Sequence, residues 1–188
     1  MRIISGSLRG RDLGAVPKGV RPTSDRVRES LFSALGSVEG AHVLDLFAGT
    51  GALGLEAYSR GAARVVYVER SRSVARALTQ RLERLSLAEE PSIQMHVVDA
   101  MKGIARLAAM DGEAFDLAFL DPPYADEDRE ALVETLFESG VLSPDARVVV
   151  EGPTRHPLRP LPGVRIVDER KYGDTQLTWL VSARPEQE

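Results

Sequence analysis

Apolar positions along the chain fall in short β-branched blocks separated by longer stretches where they recur every three or four residues. That alternation predicts β-α units on a mostly parallel sheet. Strands are expected over 41–47, 64–69, 92–98, 114–120 and 147–151, with helices over 51–59, 71–85, 100–110 and 127–139. A stretch carrying Pro153, Pro157, Pro160 and Pro162 then breaks the pattern. Beyond it, 164–172 and 175–182 read as two strands joined by Gly173-Asp174, a tight hairpin signal. Ahead of the first strand, Thr23 or Ser24 can cap a helix whose Val27, Leu31 and Leu35 share one face. Residues 1–16 are expected to form a short β-hairpin arm. With no internal repeat or linker, one domain is expected over 1–188: a basic arm, 1–20, and a catalytic core, 21–188.

Composition narrows the class. Apolar and charged fractions of 43% and 28% are those of an ordinary globular chain and exclude wholesale disorder. No apolar run approaches the roughly 18 residues of a membrane span, and Met1-Arg2-Ile3-Ile4-Ser5-Gly6 is not a signal peptide. The absence of cysteine excludes disulfides, thiolate zinc sites and thiol nucleophiles. A cytoplasmic protein is expected. The net charge of −4 argues against a general nucleic-acid binder, but its distribution matters more. Between Met1 and Arg28, Arg2, Arg9, Arg11, Lys18, Arg21, Arg26 and Arg28 face only Asp12 and Asp25. Such an arm suits a local polyanion contact, with Arg9, Arg11, Arg21, Arg26 and Arg28 as candidate RNA-binding residues. His42, His96 and His156 share no spacing, so no metal is expected, and Trp179 reads as core.

The candidate chemistry begins at Asp45-Leu46-Phe47-Ala48-Gly49-Thr50-Gly51-Ala52-Leu53-Gly54, a strand-to-helix junction. Gly49, Gly51 and Gly54 match the dinucleotide fingerprint, and Glu69 ends the next strand where a ribose-binding acid belongs. Glycines let the backbone approach a ligand, and a helix N-terminus offers free N–H groups. NAD and S-adenosylmethionine both carry an adenosine that Glu69 could hold. Asp45 tips the choice: a carboxylate beside the loop opposes a pyrophosphate and suits the ammonium of a methionine moiety. Phe47, Ala48, Gly49, Thr50 and Gly51 complete the expected cofactor loop. Asp99 could accept from an adenine amine, with the Ala100 N–H facing the ring; it can equally cap the helix after it.

Asp121-Pro122-Pro123-Tyr124 follows the apolar strand that ends at Leu120. Two prolines fix φ and remove N–H donors, leaving outward carbonyls as acceptors beside the Asp121 carboxylate. That shelf suits an exocyclic NH2, whose lone pair is delocalised into its base. Hydrogen bonds to Asp121 and the Pro122 carbonyl would orient it and stabilise the positive charge that develops as a methyl arrives. In-line transfer from a sulfonium needs positioning rather than a metal. Tyr124 can stack on the base, an interaction worth about 1–3 kcal/mol, and a target in a duplex would be flipped out.

These motifs together resemble the class I amino-methyltransferases of nucleic acids. More closely, the chain is similar to the bacterial small-subunit (16S) rRNA guanine-N2 methyltransferases. The likeness runs through Arg2-Ile3-Ile4-Ser5-Gly6, Gly10-Arg11, Arg21-Pro22-Thr23-Ser24-Asp25-Arg26-Val27-Arg28-Glu29, the Asp45 to Gly54 loop and Tyr172-Gly173-Asp174-Thr175. It implies a Rossmann-like seven-stranded sheet, S-adenosylmethionine as donor, and methylation of a guanine N2 in small-subunit rRNA within a ribosomal particle, by a monomer. Three rivals are weighed against it. A DNA adenine-N6 methyltransferase shares the shelf but usually adds a recognition domain for which 188 residues leave no room. A NAD-dependent oxidoreductase leaves Asp45 and the shelf unexplained, and a non-catalytic RNA-binding module needs no cofactor site.

Overall fold

The computed structural model describes residues 1–16, 19, 23–110, 112–122 and 129–183. In chain order it contains α1 (Asp25–Leu35), β1 (His42–Asp45), α2 (Ala52–Ser59), β2 (Arg64–Val68), α3 (Arg72–Arg84), β3 (Ile93–His96) and α4 (Ala100–Ala108). β4 (Phe115–Leu120), α5 (Arg129–Glu138), β5 (Leu142–Pro153), β6 (Val164–Tyr172) and β7 (Thr175–Ser182) follow. The strands make one seven-stranded sheet of order β3-β2-β1-β4-β5-β7-β6, parallel except for β7, which runs against both β5 and β6.

The apolar runs are continuous because both faces of the sheet are covered. Val43, Val65, Tyr67, Leu117, Phe119 and Val149 pack with α1, α2 and α3 on one face. Their alternates Leu44, Val66, Val68, Ala118, Leu120 and Val150 pack with α4 and α5 on the other. Trp179 is buried in the first cluster, as expected. Ser24 caps α1, its Oγ accepting from Val27 N at 3.3 Å. Gly173 turns the β6–β7 hairpin at φ +61°, and the Tyr172 hydroxyl reaches Ser30 on α1. β5 is longer than the sequence predicts: it pairs β4 from Leu142 and β7 out to Pro153.

The N-terminal segment forms the expected short hairpin: around the antiparallel bridge of Arg2 to Asp12, Leu13 N donates to Met1 O at 2.9 Å, Ile3 N to Arg11 O at 3.1 Å and Gly10 N to Ile3 O at 2.8 Å. It is not a free arm, because it folds down onto α2. Ile3 and Leu13 are core residues. The Glu56 carboxylate of α2, wholly buried, accepts from Ile4 N at 2.8 Å and Ser5 N at 3.0 Å and pairs with Arg60. Ser59 Oγ donates to Ser5 O at 2.5 Å and accepts from Leu8 N at 2.9 Å. These side chains satisfy backbone N–H and C=O groups that lie between the two arms of the hairpin.

Candidate active site

The chain leaves β1 toward β2 and β3, then returns to place β4 on the other side of β1. At that switch point, ligand crevices open beyond the carboxyl ends of the strands. A cavity of about 510 Å³ lies there, lined by Asp45, Phe47, Ala48, Gly49, Thr50, Glu69, Asp121 and Pro122, among others.

Backbone geometry shapes its floor. Leaving β1, the loop hydrogen-bonds both neighbours, Leu46 N to Phe119 O at 3.0 Å and Ala48 N to Val68 O at 3.1 Å. Gly49 and Gly51 take φ of +50° and +71°, the left-handed region that glycine enters without strain. A Cβ on Gly51 would lie 2.4 Å from Leu78, and one on Gly54 would lie 2.4 Å from the Tyr67 ring. Gly54 is therefore the close-packing glycine between helix and sheet. Arg81 of α3 holds the loop from behind: its guanidinium donates to the Thr50 carbonyl and to the carbonyls of Leu13 and Ala15. The N-terminal segment and the glycine loop thus share one buried cation.

Each carboxylate has a definite setting. Asp45, 3% exposed, accepts from Gly54 N at 3.2 Å and supplies the cap that Gly51 cannot give α2. Burial pushes its carboxyl up to about 7; the Gly54 hydrogen bond opposes this and the nearby Glu69 charge adds to it. Glu69 braces the loop, one oxygen accepting from Gly49 N at 3.0 Å and the other from Ser71 N at 2.7 Å. Asp121 and Pro122 end β4 at the cavity wall.

Other expected residues fall elsewhere. Gly51 sits behind the wall against Leu78. Asp99 and Ala100 do not line the cavity; Asp99 caps α4, accepting from Met101 N at 3.0 Å. Pro123, Tyr124 and Arg21 lie outside the described residues. Arg9, Arg11 and Arg26 are exposed, as a polyanion contact needs. Arg28 is not: its guanidinium is wholly buried, donating to the Arg2 carbonyl at 2.6 Å and the Asp25 carboxylate at 2.8 Å. Its expected RNA contact is therefore replaced by an internal one, pinning the N-terminal segment to α1. Several wall residues escaped the sequence reading, Arg70 and Ser73 among them; two others, Thr23 and Glu151, bring a hydroxyl and a carboxylate together at 3.5 Å. The available signal was an acid ending the apolar run of β5, just as Asp45 ends that of β1. Among the described residues no group of acids and histidines could hold a metal ion.

The strand order, the antiparallel β7 and the glycine loop at the switch point define the Rossmann-like class I methyltransferase fold. The chain belongs to the family described as Conserved hypothetical protein 95, whose model matches residues 1–181. Ribosomal RNA small subunit methyltransferase D of Escherichia coli (strain K12) is 37% identical over 165 residues, 86% of this chain and 79% of that one. The solved structure of a hypothetical protein from Thermus thermophilus is 33% identical with a TM-score of 0.81, covering 97% of this chain and 99% of that one. A structure of SMU.776 complexed with SAH matches at a TM-score of 0.66 over 82% of this chain and 48% of that one. At 17% identity it shares the fold alone.

Proposed function

We propose that the protein transfers a methyl group from S-adenosylmethionine to the exocyclic N2 amine of a guanine in small-subunit rRNA, presented within a ribosomal particle. The observation that carries this reading is the meeting of the Asp45–Gly49 loop, Glu69 and the Asp121-Pro122 shelf on one cavity. The name of the Escherichia coli relative supports rRNA as the substrate class.

The donor set fits the cofactor. Two carboxylates, Asp45 and Glu69, stand close enough for one charge to raise the other's pKa, and a cationic ligand relieves that repulsion where a pyrophosphate worsens it. Asp45 would hold the methionine ammonium. Glu69 accepts two backbone N–H bonds and keeps lone pairs for ribose hydroxyls. S-adenosylmethionine, when bound, supplies an electrophilic methyl on a sulfonium. Asp121 and the Pro122 carbonyl accept from the target amine, aim its lone pair at that methyl and stabilise the charge that grows on nitrogen. The same acidic wall disfavours the oxidoreductase alternative.

Mass mapping of small-subunit rRNA, with and without the gene, tests the substrate. An N2-methylguanine that disappears on deletion and returns with the purified protein is the expected result; an unchanged map overturns the reading. Single-turnover transfer tests the shelf. Asp121→Ala should slow it on the order of a hundred- to thousandfold while leaving donor affinity in calorimetry nearly intact. Asp121→Asn, which keeps an acceptor oxygen without the charge, should fall between the two. Wild-type rates in the Ala variant would remove the shelf from the mechanism.

A further inference from the structure

β5 carries the apolar run Val148-Val149-Val150 and then Glu151, only 8% exposed. Leu120 pairs with Val150 across the parallel β4–β5 ladder. Asp121 directly follows the end of β4 and Glu151 is the next residue on β5, and both line the cavity. Neighbouring strands lie about 4.8 Å apart, so the two carboxylates can reach one edge of one base. Holding an amine needs only Asp121 and the Pro122 carbonyl, which leaves Glu151 without a part in the transfer described above. The Thr23 hydroxyl meets this carboxylate at 3.5 Å.

We propose that Glu151 is the specificity-determining residue for guanine, accepting the N1–H that lies next to the N2 amine on the Watson–Crick edge. This rests on the guanine-N2 reading and gives it a selector. Adenine and cytosine also carry exocyclic amines, but beside them each presents a ring-nitrogen lone pair. A carboxylate there repels that lone pair and gains no hydrogen bond from the base. A site built to pair with one polar group rejects the analogue lacking it far more strongly than a pocket rejects a change of size. Thr23 orients Glu151.

The test uses reconstituted particles carrying guanine, 2-aminopurine or hypoxanthine at the mapped target. 2-Aminopurine keeps the amine but has a lone pair at N1; hypoxanthine keeps the N1–H but has no amine. In single-turnover transfer the wild type should prefer guanine to 2-aminopurine by on the order of a hundredfold or more. Hypoxanthine particles should compete with it. In E151Q, donor affinity should hold and the preference should collapse below about tenfold. A purely structural Glu151 would slow both substrates in parallel and preserve the ratio, which overturns the proposal. If E151Q does not fold, the wild type alone decides: equal rates on guanine and 2-aminopurine overturn it. Absence of N2-methylguanine from the map sinks the underlying reading instead, so the two failures are distinguishable.

Discussion

At Asp45, burial favours the neutral carboxyl while a cationic ligand needs the carboxylate. The folded pKa of about 7 stands above the ordinary 3.8, so between these values the folded chain holds a proton that the unfolded chain has released. Stability from this group is full below about 3.8, declines as pH rises through that window and is lost above about 7. Asp45→Asn removes the decline. Its thermal midpoint relative to wild type should therefore be higher at pH 8 than at pH 5. Donor affinity should move the other way: in the wild type it weakens as pH falls through about 7, because protonation removes the charge that holds the ammonium. The Asn variant should bind weakly throughout, with no such slope. Calorimetry between pH 6 and 8 decides it, and a wild-type affinity indifferent to pH would take Asp45 out of cation binding.

Among the elements, α2 serves two parts of the molecule at once. Its first turn closes the glycine loop through Asp45, while Glu56 and Ser59 fasten the N-terminal segment. Gly6 makes that approach possible: at φ +84°, a Cβ would stand 1.6 Å from the Ser59 carbonyl oxygen. Gly6→Ala should cost about 1–3 kcal/mol or more in strain and show in chemical denaturation. Gly10→Ala, at φ +82° with nothing within 4 Å, should cost only about 1–2 kcal/mol for the left-handed backbone. Equal losses would mean that the segment does not rest on α2. The β-α alternation, the C-terminal hairpin and the glycine loop were legible because local spacing and turn chemistry decide them. The seating of residues 1–16 was not, since Glu56 finds its partners some fifty positions away. Arg28 reads as a surface arginine at helical spacing, and only tertiary packing hides it. Glu151 passed as the polar end of a buried strand, because its meaning depends on Asp121 arriving next to it from β4.

Across the whole molecule, Arg9, Arg11 and Arg26 are exposed, while four acids, Asp45, Glu69, Asp121 and Glu151, line the cavity together with a cation, Arg70. Replacing Arg9, Arg11 and Arg26 together with glutamine should lower affinity for the particle and flatten its salt dependence, since fewer counterions are released. Donor binding should not change. Arg28→Ala should instead lower the thermal midpoint, because it leaves the Arg2 carbonyl and Asp25 without their buried donor. An unaltered salt slope in the triple variant would make those arginines a solvated surface only. On the proposed function, the four acids would also act on the substrate. A ribose-phosphate backbone carries charge of the sign they repel and would stay outside with the arginines. A neutral nucleobase swung out of its stack would meet no such barrier. The cavity would then work as a turnstile, admitting the base while the strand that bears it remains on the threshold.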